Sequence, residues 1–365
     1  MIIQSASAVV DAKLVGHTWV EVSENLIRSV NSGVHPSPDQ LIDGVLIPGF
    51  VDIHCHGGGG KYFSALTPGG IHSVIETHRG HGTTTLFASL VSEPIETIKA
   101  QIQRLKPFVQ SGQIAGVHLE GPYLSHAKCG AHDPQLLLNP DLAEIKELLE
   151  VADGAISMIT IAPELLGAID AIKHLSAAGV TVALGHTAGD FGNAAAGTNA
   201  GATVITHFMN AMDKTLNERS FASFVIADER LTVELILDGH HVQFKTAKEI
   251  YAAVGNRLIF VSDAMAAAGA TDGNYTIGKL PVIVKDNIAR LESNGSLAGS
   301  TLTMDLVFRN AIHELGLSIP EAVAATSTRA AHRMGLTDRG EITVGKRADL
   351  LSYNEGSKSI TLINS

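Results

Sequence analysis

The segment VLIPGFVDIHCHG, residues 45–57, is a short apolar run that closes on two histidines one residue apart. Side chains i and i+2 of a strand share a face, so His54 and His56 point together and Cys55 points away. Similar β-rich runs recur downstream: GTTTLFASL (82–90), AGVHLEGPY (115–123), GAISMITIAPE (154–164), GVTVALGHT (179–187), GATVITHFMNA (201–211), LTVELILDGHHV (231–242) and RLIFVSDAM (257–265). Helix-like stretches separate most of them: one opened by Pro68, then others near 94–110, 141–150, 167–178 and 245–254. Eight such runs alternating with helices over ~220 residues predict an α/β chain folded as a (β/α)8 TIM-like barrel across residues 47–337. A doubly wound open sheet is the competing architecture. It places a G-x-G-x-x-G turn after its first strand, and Gly57–Gly60 lacks that spacing.

Two stretches fall outside the barrel pattern. Residues 1–46 and 338–365 are β-like with glycine and charged turns, and predict one small β-sandwich domain built from both chain termini. A β-hairpin insert is expected near residues 275–299, followed by the helical stretch STLTMDLVFRNAIHEL (300–315) with Ser300 as its N-cap. Pro320 opens a further helix at the first helical position.

Of the 365 residues, 45% are hydrophobic and 17% charged, enough for a substantial core. No uninterrupted apolar run is long enough to span a bilayer, so no membrane partner is expected. The net charge of -11 argues against a duplex nucleic-acid binder, which needs a basic face, but not against a small anionic substrate. Two cysteines, Cys55 and Cys129, cannot build a disulfide framework, and the first residues do not read as a signal peptide. The expected compartment is the cytoplasm.

Polar residues collect where the runs end. His54 and His56 end the first, Glu120 the third, His186 the fifth, His207 the sixth, His240 and His241 the seventh, and Asp263 the eighth. In a parallel barrel this C-terminal rim is where active sites form. Imidazole and carboxylate suit a divalent first-row cation: Zn²⁺ is the first expectation, and the same donors serve Fe, Mn or Co. Glu120, His186 and His207 give one ion three protein ligands, and His54 and His56 complete it or hold a second. Asp263 is then the proton acceptor for a water acidified by the ion. A single histidine at a strand end is usually a hydrogen-bonded core or surface residue. Coincidence of all of these on successive strand ends is what favours a metal site.

At this point the pattern resembles the amidohydrolase superfamily, whose first-strand His-x-His signature is like PGFVDIHCHG. Within it the chain is similar to the N-acetylglucosamine-6-phosphate deacetylase family. The carrying motifs are GVHLEGPYL (116–124), KCGAH (128–132), LGHT (184–187), THFMNAM (206–212), DGHHV (238–242), VSDAM (261–265) and LAGSTLTM (297–304). The resemblance implies a metal-dependent enzyme that removes the acetyl group from a phosphorylated N-acetyl amino sugar, in amino-sugar catabolism or cell-wall recycling. It implies Glu120, His186 and His207 as principal metal ligands, with His54 and His56 as the pair that supports a second ion in members possessing it. Asp263 matches the catalytic acid/base and His132 the histidine beside the scissile carbonyl. Ala131, His132, Asn210, Ala211 and His241 match substrate-binding positions, and Leu297, Ala298 and Gly299 the segment lining the sugar pocket. One departure stands out. The family carries Arg-Glu-Pro-Gly after its Asn-Ala-Met motif, whereas this chain reads NERSF (217–221), with Glu218 at the arginine position and Arg219 one place later. Arg219 is expected to reach the substrate phosphate by a local shift. A homodimer is also implied. Two rival readings are deacetylation of a different or unphosphorylated N-acetyl-hexosamine, and a non-catalytic relative serving as sensor or structural subunit.

Overall fold

The computed structural model describes residues 1–64 and 67–363. The run at 45–57 is two strands rather than one. Gln40–Pro48 pairs with Ile2–Val10 and Leu350–Asn354, and a separate strand, β1, covers Phe50–Cys55. The break falls at Gly49, where a Cβ would lie 2.1 Å from Thr84 Oγ1, so no larger residue fits between the strands.

From β1 the strands follow in chain order: β2 Thr83–Leu90, β3 Gly116–Glu120, β4 Ile156–Ile161, β5 Thr181–Leu184, β6 Val204–Ile205, β7 Thr232–Ile236 and β8 Leu258–Val261. They form one eight-stranded sheet in that order. It closes on itself at the β8–β1 seam: the Asp263 N–H donates to the His54 carbonyl at 2.8 Å, and Cys55 bridges Ala264 in parallel. The α/β barrel expected from the sequence is therefore what the chain forms. β1, β3, β7 and β8 are buried at every position, because a parallel sheet sheathed by helices is covered on both faces. A helix follows each strand in the chain, among them Ile95–Gln110 after β2, Leu142–Ala152 after β3 and Phe244–Val254 after β7. Local chemistry fixes their starts. Asp141 accepts from the Ala143 and Glu144 N–H groups, and Asp190 and Asn193 form a reciprocal capping box.

By contact clustering the chain divides into two compact units. One comprises Met1–Asp52, His78–Thr85 and Thr303–Ser365, the other Ile53–Thr77 and Leu86–Leu302. The first contains a six-stranded, mostly antiparallel sheet from both chain ends, ordered Ser359–Ile363, Leu350–Asn354, Gln40–Pro48, Ile2–Val10, Lys13–Ser23, Leu26–Ser32. Its apolar face packs Ile3, Val20, Ile27, Leu46, Ile342 and Leu350. The insert belongs to the second unit and is a three-stranded sheet, Gly273–Ile277, Leu280–Lys285 and Ile288–Leu291, with its own buried cluster.

Two local expectations are corrected. The helix after the insert runs Met304–His313 behind Thr303, and Ser300 is not its cap. The Ser300 hydroxyl is buried and donates to the Ser262 carbonyl at 2.5 Å, a long-range partner that sequence spacing does not reveal. Pro320 stands second in its helix, after Ile319, with Ser318 and Glu321 forming a capping box. Among the described residues no helix is long and apolar enough to cross a membrane.

Candidate metal centre and its cavity

β1 delivers His54 and His56 to one face, as the period-two geometry requires, and β3 ends on Glu120. His186, His207 and Asp263 each stand two residues beyond the last residue of their strand, and each takes a left-handed backbone, with φ of 47°, 26° and 48°. Such conformations cost on the order of 1–3 kcal/mol for a residue with a Cβ and cluster at functional sites. Here they turn three side chains inward at the rim.

The side chains converge on Glu120. Its Oε1 lies 3.0 Å from both His186 Nε2 and His207 Nε2, and its Oε2 lies 3.2 Å from His56 Nε2 and 3.3 Å from His132 Nε2. His186 Nε2 and His207 Nε2 are 3.1 Å apart, as are His54 Nε2 and His56 Nε2. Asp263 Oδ1 sits 3.4 Å from the Nε2 atoms of both His54 and His56. All are buried. Two overlapping triads result, His54–His56–Glu120 and Glu120–His186–His207, each with its donor atoms within 4.8 Å of one another.

Hydrogen-bond logic tests whether a cation fits. His186 Nδ1 faces the Lys128 carbonyl at 2.9 Å, an acceptor only, so Nδ1 carries the proton. His54 Nδ1 likewise faces the Glu234 carboxylate at 3.1 Å. In the neutral rings both Nε2 atoms are therefore lone pairs. They nonetheless point at carboxylate oxygens and at other imidazole nitrogens. Buried acceptors aimed at acceptors repel unless a positive charge stands among them, and a divalent cation supplies it.

Protons substitute for that charge when no ion is bound. Burial pushes His54 and His56 down, but the surrounding carboxylates, Asp263 and Glu120, outweigh it and raise both, His54 well above its ordinary value. Burial pushes Glu120 and Asp263 up, and the histidines outweigh it, His54 foremost, leaving Glu120 well below the usual carboxylate range and Asp263 down at about 2. Because the neighbouring carboxylates favour the protonated imidazoles, a cation competes with protons for these donors. Metal uptake by the metal-free protein is therefore expected to release protons and to tighten as pH rises. Calorimetry in buffers of different ionisation enthalpy measures this, and a binding heat that ignores the buffer would contradict it.

His132 is arranged differently. Its Nδ1 accepts from the Ser92 backbone N–H at 3.3 Å and lies 2.9 Å from the Ser92 hydroxyl. Burial lowers its pKa more than Glu120 raises it. The ring is neutral with its proton on Nε2, aimed toward the metal donors.

A cavity of about 340 Å³ opens over these groups. Ala131, His132, Asn210, Ala211, His241, Leu297 and Gly299 reach its wall. Ala298 does not. Its side chain is buried instead in the insert's apolar cluster. Arg219 is exposed and is not on the wall. Its N–H is held by Asn217 Oδ1 at 2.9 Å and its carbonyl accepts from Phe191 N–H at 3.0 Å, in the approach to the helix Phe221–Ala227. The cation that does line the cavity is Lys214, which sequence reading passed over. Glu234 was also missed. It is fully buried in β7, and its one signal is a lone charge inside LTVELIL (231–237).

Residues 45–361 match the amidohydrolase family. The chain belongs to that family. Among curated relatives, this amidohydrolase is 32% identical over 348 residues to N-acetylgalactosamine-6-phosphate deacetylase of Escherichia coli O157:H7, covering 93% of this chain and 92% of the relative. It is 32% identical over 357 residues to N-acetylglucosamine-6-phosphate deacetylase of Vibrio furnissii, covering 93% and 89%. Among solved structures, N-acetyl-D-glucosamine-6-phosphate deacetylase of Mycobacterium smegmatis superposes with a TM-score of 0.96 at 38% identity, covering 100% of this chain and 98% of the other. A mutant of that enzyme has been solved in complex with N-acetyl-D-glucosamine-6-phosphate.

Proposed function

We propose that this amidohydrolase hydrolyses the acetamido group of N-acetylglucosamine 6-phosphate, giving glucosamine 6-phosphate and acetate. One observation carries the reading: His56, Glu120, His186 and His207 of the donor cluster, Asp263 and His132 all line one cavity whose wall also bears Lys214. The Mycobacterium smegmatis, Vibrio furnissii and Escherichia coli relatives support the substrate class.

Glu120, His186 and His207 would hold one divalent cation, and His54 and His56 a second or the remainder of the first; Zn²⁺ is the expected ion. Bound there, the cation supplies an acidified water and polarises the acetyl carbonyl. Asp263, held below the usual carboxylate range, accepts the proton of the attacking water. His132 donates its Nε2–H to the carbonyl oxygen as negative charge develops there. Protonated Asp263 then gives its proton to the sugar nitrogen as the C–N bond breaks. Asn210 and His241 bind the sugar. Asp238 Oδ2 receives the His241 Nδ1–H at 2.6 Å and orients the ring.

Lys214 answers the phosphate. Its ammonium has no hydrogen bond or ion pair among the described residues, and it lines the cavity while Arg219 does not. Lys214→Ala is expected to raise KM for the phosphorylated sugar by about 10- to 100-fold, the worth of a charged hydrogen bond, with little change in kcat. Arg219→Ala should change KM much less; the reverse order would restore the phosphate to Arg219.

The deciding assay is acetate release from four sugars, N-acetylglucosamine and N-acetylgalactosamine, each with and without the 6-phosphate. Preference for phosphorylated N-acetylglucosamine supports the reading. Preference for its C4 epimer would move the assignment to the function named for the Escherichia coli relative, and indifference to phosphate would favour a general N-acetyl-hexosamine deacetylase. We also propose a homodimer in the cytoplasm, to be tested by sedimentation and fractionation; Cys55 and Cys129 form no disulfide with each other, which suits a reducing compartment.

A further inference from the structure

We propose that Glu234 is a positioning residue that sets both metal triads at once. The inference rests on the metal-centre reading above and adds a residue to it. Glu234 lies in the middle of β7 with its side chain fully buried, where a carboxylate costs several kcal/mol unless partners compensate. Oε2 is held by two groups from different parts of the site, His54 Nδ1 at 3.1 Å and the His207 backbone N–H at 3.2 Å. Oε1 has no hydrogen-bond partner among the described residues. An anion placed only for packing gains nothing from that arrangement.

Each contact has a consequence at the donor atoms. A carboxylate only accepts, so His54 must carry its proton on Nδ1, which leaves Nε2 as the lone pair directed at the cation. The other contact clamps the amide of His207, whose φ of 26° is the least relaxed among the donors. The Glu234 carbonyl adds a second clamp, accepting from the Phe208 N–H at 2.8 Å. One donor from each triad is thus tied to a single buried residue, while Nδ1 of His56 and of His207 has no hydrogen-bond partner among the described residues. The negative charge also makes the His54 ring a stronger donor, which an amide of the same shape does not.

The test is cobalt titration of the metal-free protein, read by the visible Co²⁺ spectrum and by chelator competition. Glu234→Gln keeps the shape and one acceptor but removes the charge, and is expected to weaken Co²⁺ binding about 10- to 100-fold and to alter its spectrum. Glu234→Asp should fall between the two. Thermal unfolding of the metal-free variants separates this from a packing role. A packing role lowers their Tm and leaves the spectrum and affinity of the folded protein unchanged, and that result would overturn the proposal. A wild-type protein that takes up no cobalt would instead remove the metal-centre reading, and Glu234's role with it.

Discussion

Asp263→Asn is expected to retain its full complement of metal and to lose turnover by about 10²- to 10⁴-fold, the usual worth of a positioned acid/base. The substitution is nearly isosteric, and the Asp263 amide stays bonded to the His54 carbonyl at 2.8 Å. Its left-handed φ of 48° is one that asparagine tolerates about as well as aspartate. What disappears is the ability to take a proton from water and return it to the leaving nitrogen. Measuring kcat alongside metal content by atomic emission separates the two effects. A variant within a few-fold of the wild-type rate would remove Asp263 from the mechanism.

Glu120→Ala is expected to do the opposite, losing metal first and activity with it. Glu120 is the one residue shared by both triads, so its removal takes a ligand from each. It also leaves His186 and His207 with Nε2 atoms 3.1 Å apart and no anion between them. The loss of affinity should exceed the roughly 10- to 100-fold that follows removal of an outer partner. After dialysis the variant should retain little metal and no measurable deacetylation. Wild-type metal content would strike Glu120 from the ligand set.

The rim was legible in the sequence because its grammar is local. Period-two geometry alone puts His54 and His56 on one face, and an apolar run ending on a histidine or carboxylate marks both the strand and the place where its chemistry projects. What stayed hidden depends on partners far along the chain. Glu234 reads as an interruption in an apolar strand until His54, 180 residues away, is seen beside it. Lys214 lies in a stretch whose polar composition says only loop. Arg219 was expected at the phosphate because the family this chain resembles carries an arginine one place earlier; it is exposed and off the cavity wall, and the KM comparison with Lys214 tests which cation meets the phosphate. Ala298 shows the same limit at one-residue scale, since Leu297 and Gly299 line the cavity while Ala298 packs into the insert's apolar cluster.

The seam joining β8 to β1 also bears on how the protein is made. His54 leaves the ribosome early and Asp263 more than two hundred residues later, yet the two are hydrogen-bonded neighbours in the finished barrel. A nascent chain short of that last strand holds its imidazoles on a sheet that has not yet closed. A chain truncated before residue 263 would keep the Glu120, His186 and His207 donors but lack both the seam and the residue proposed to carry the proton in hydrolysis.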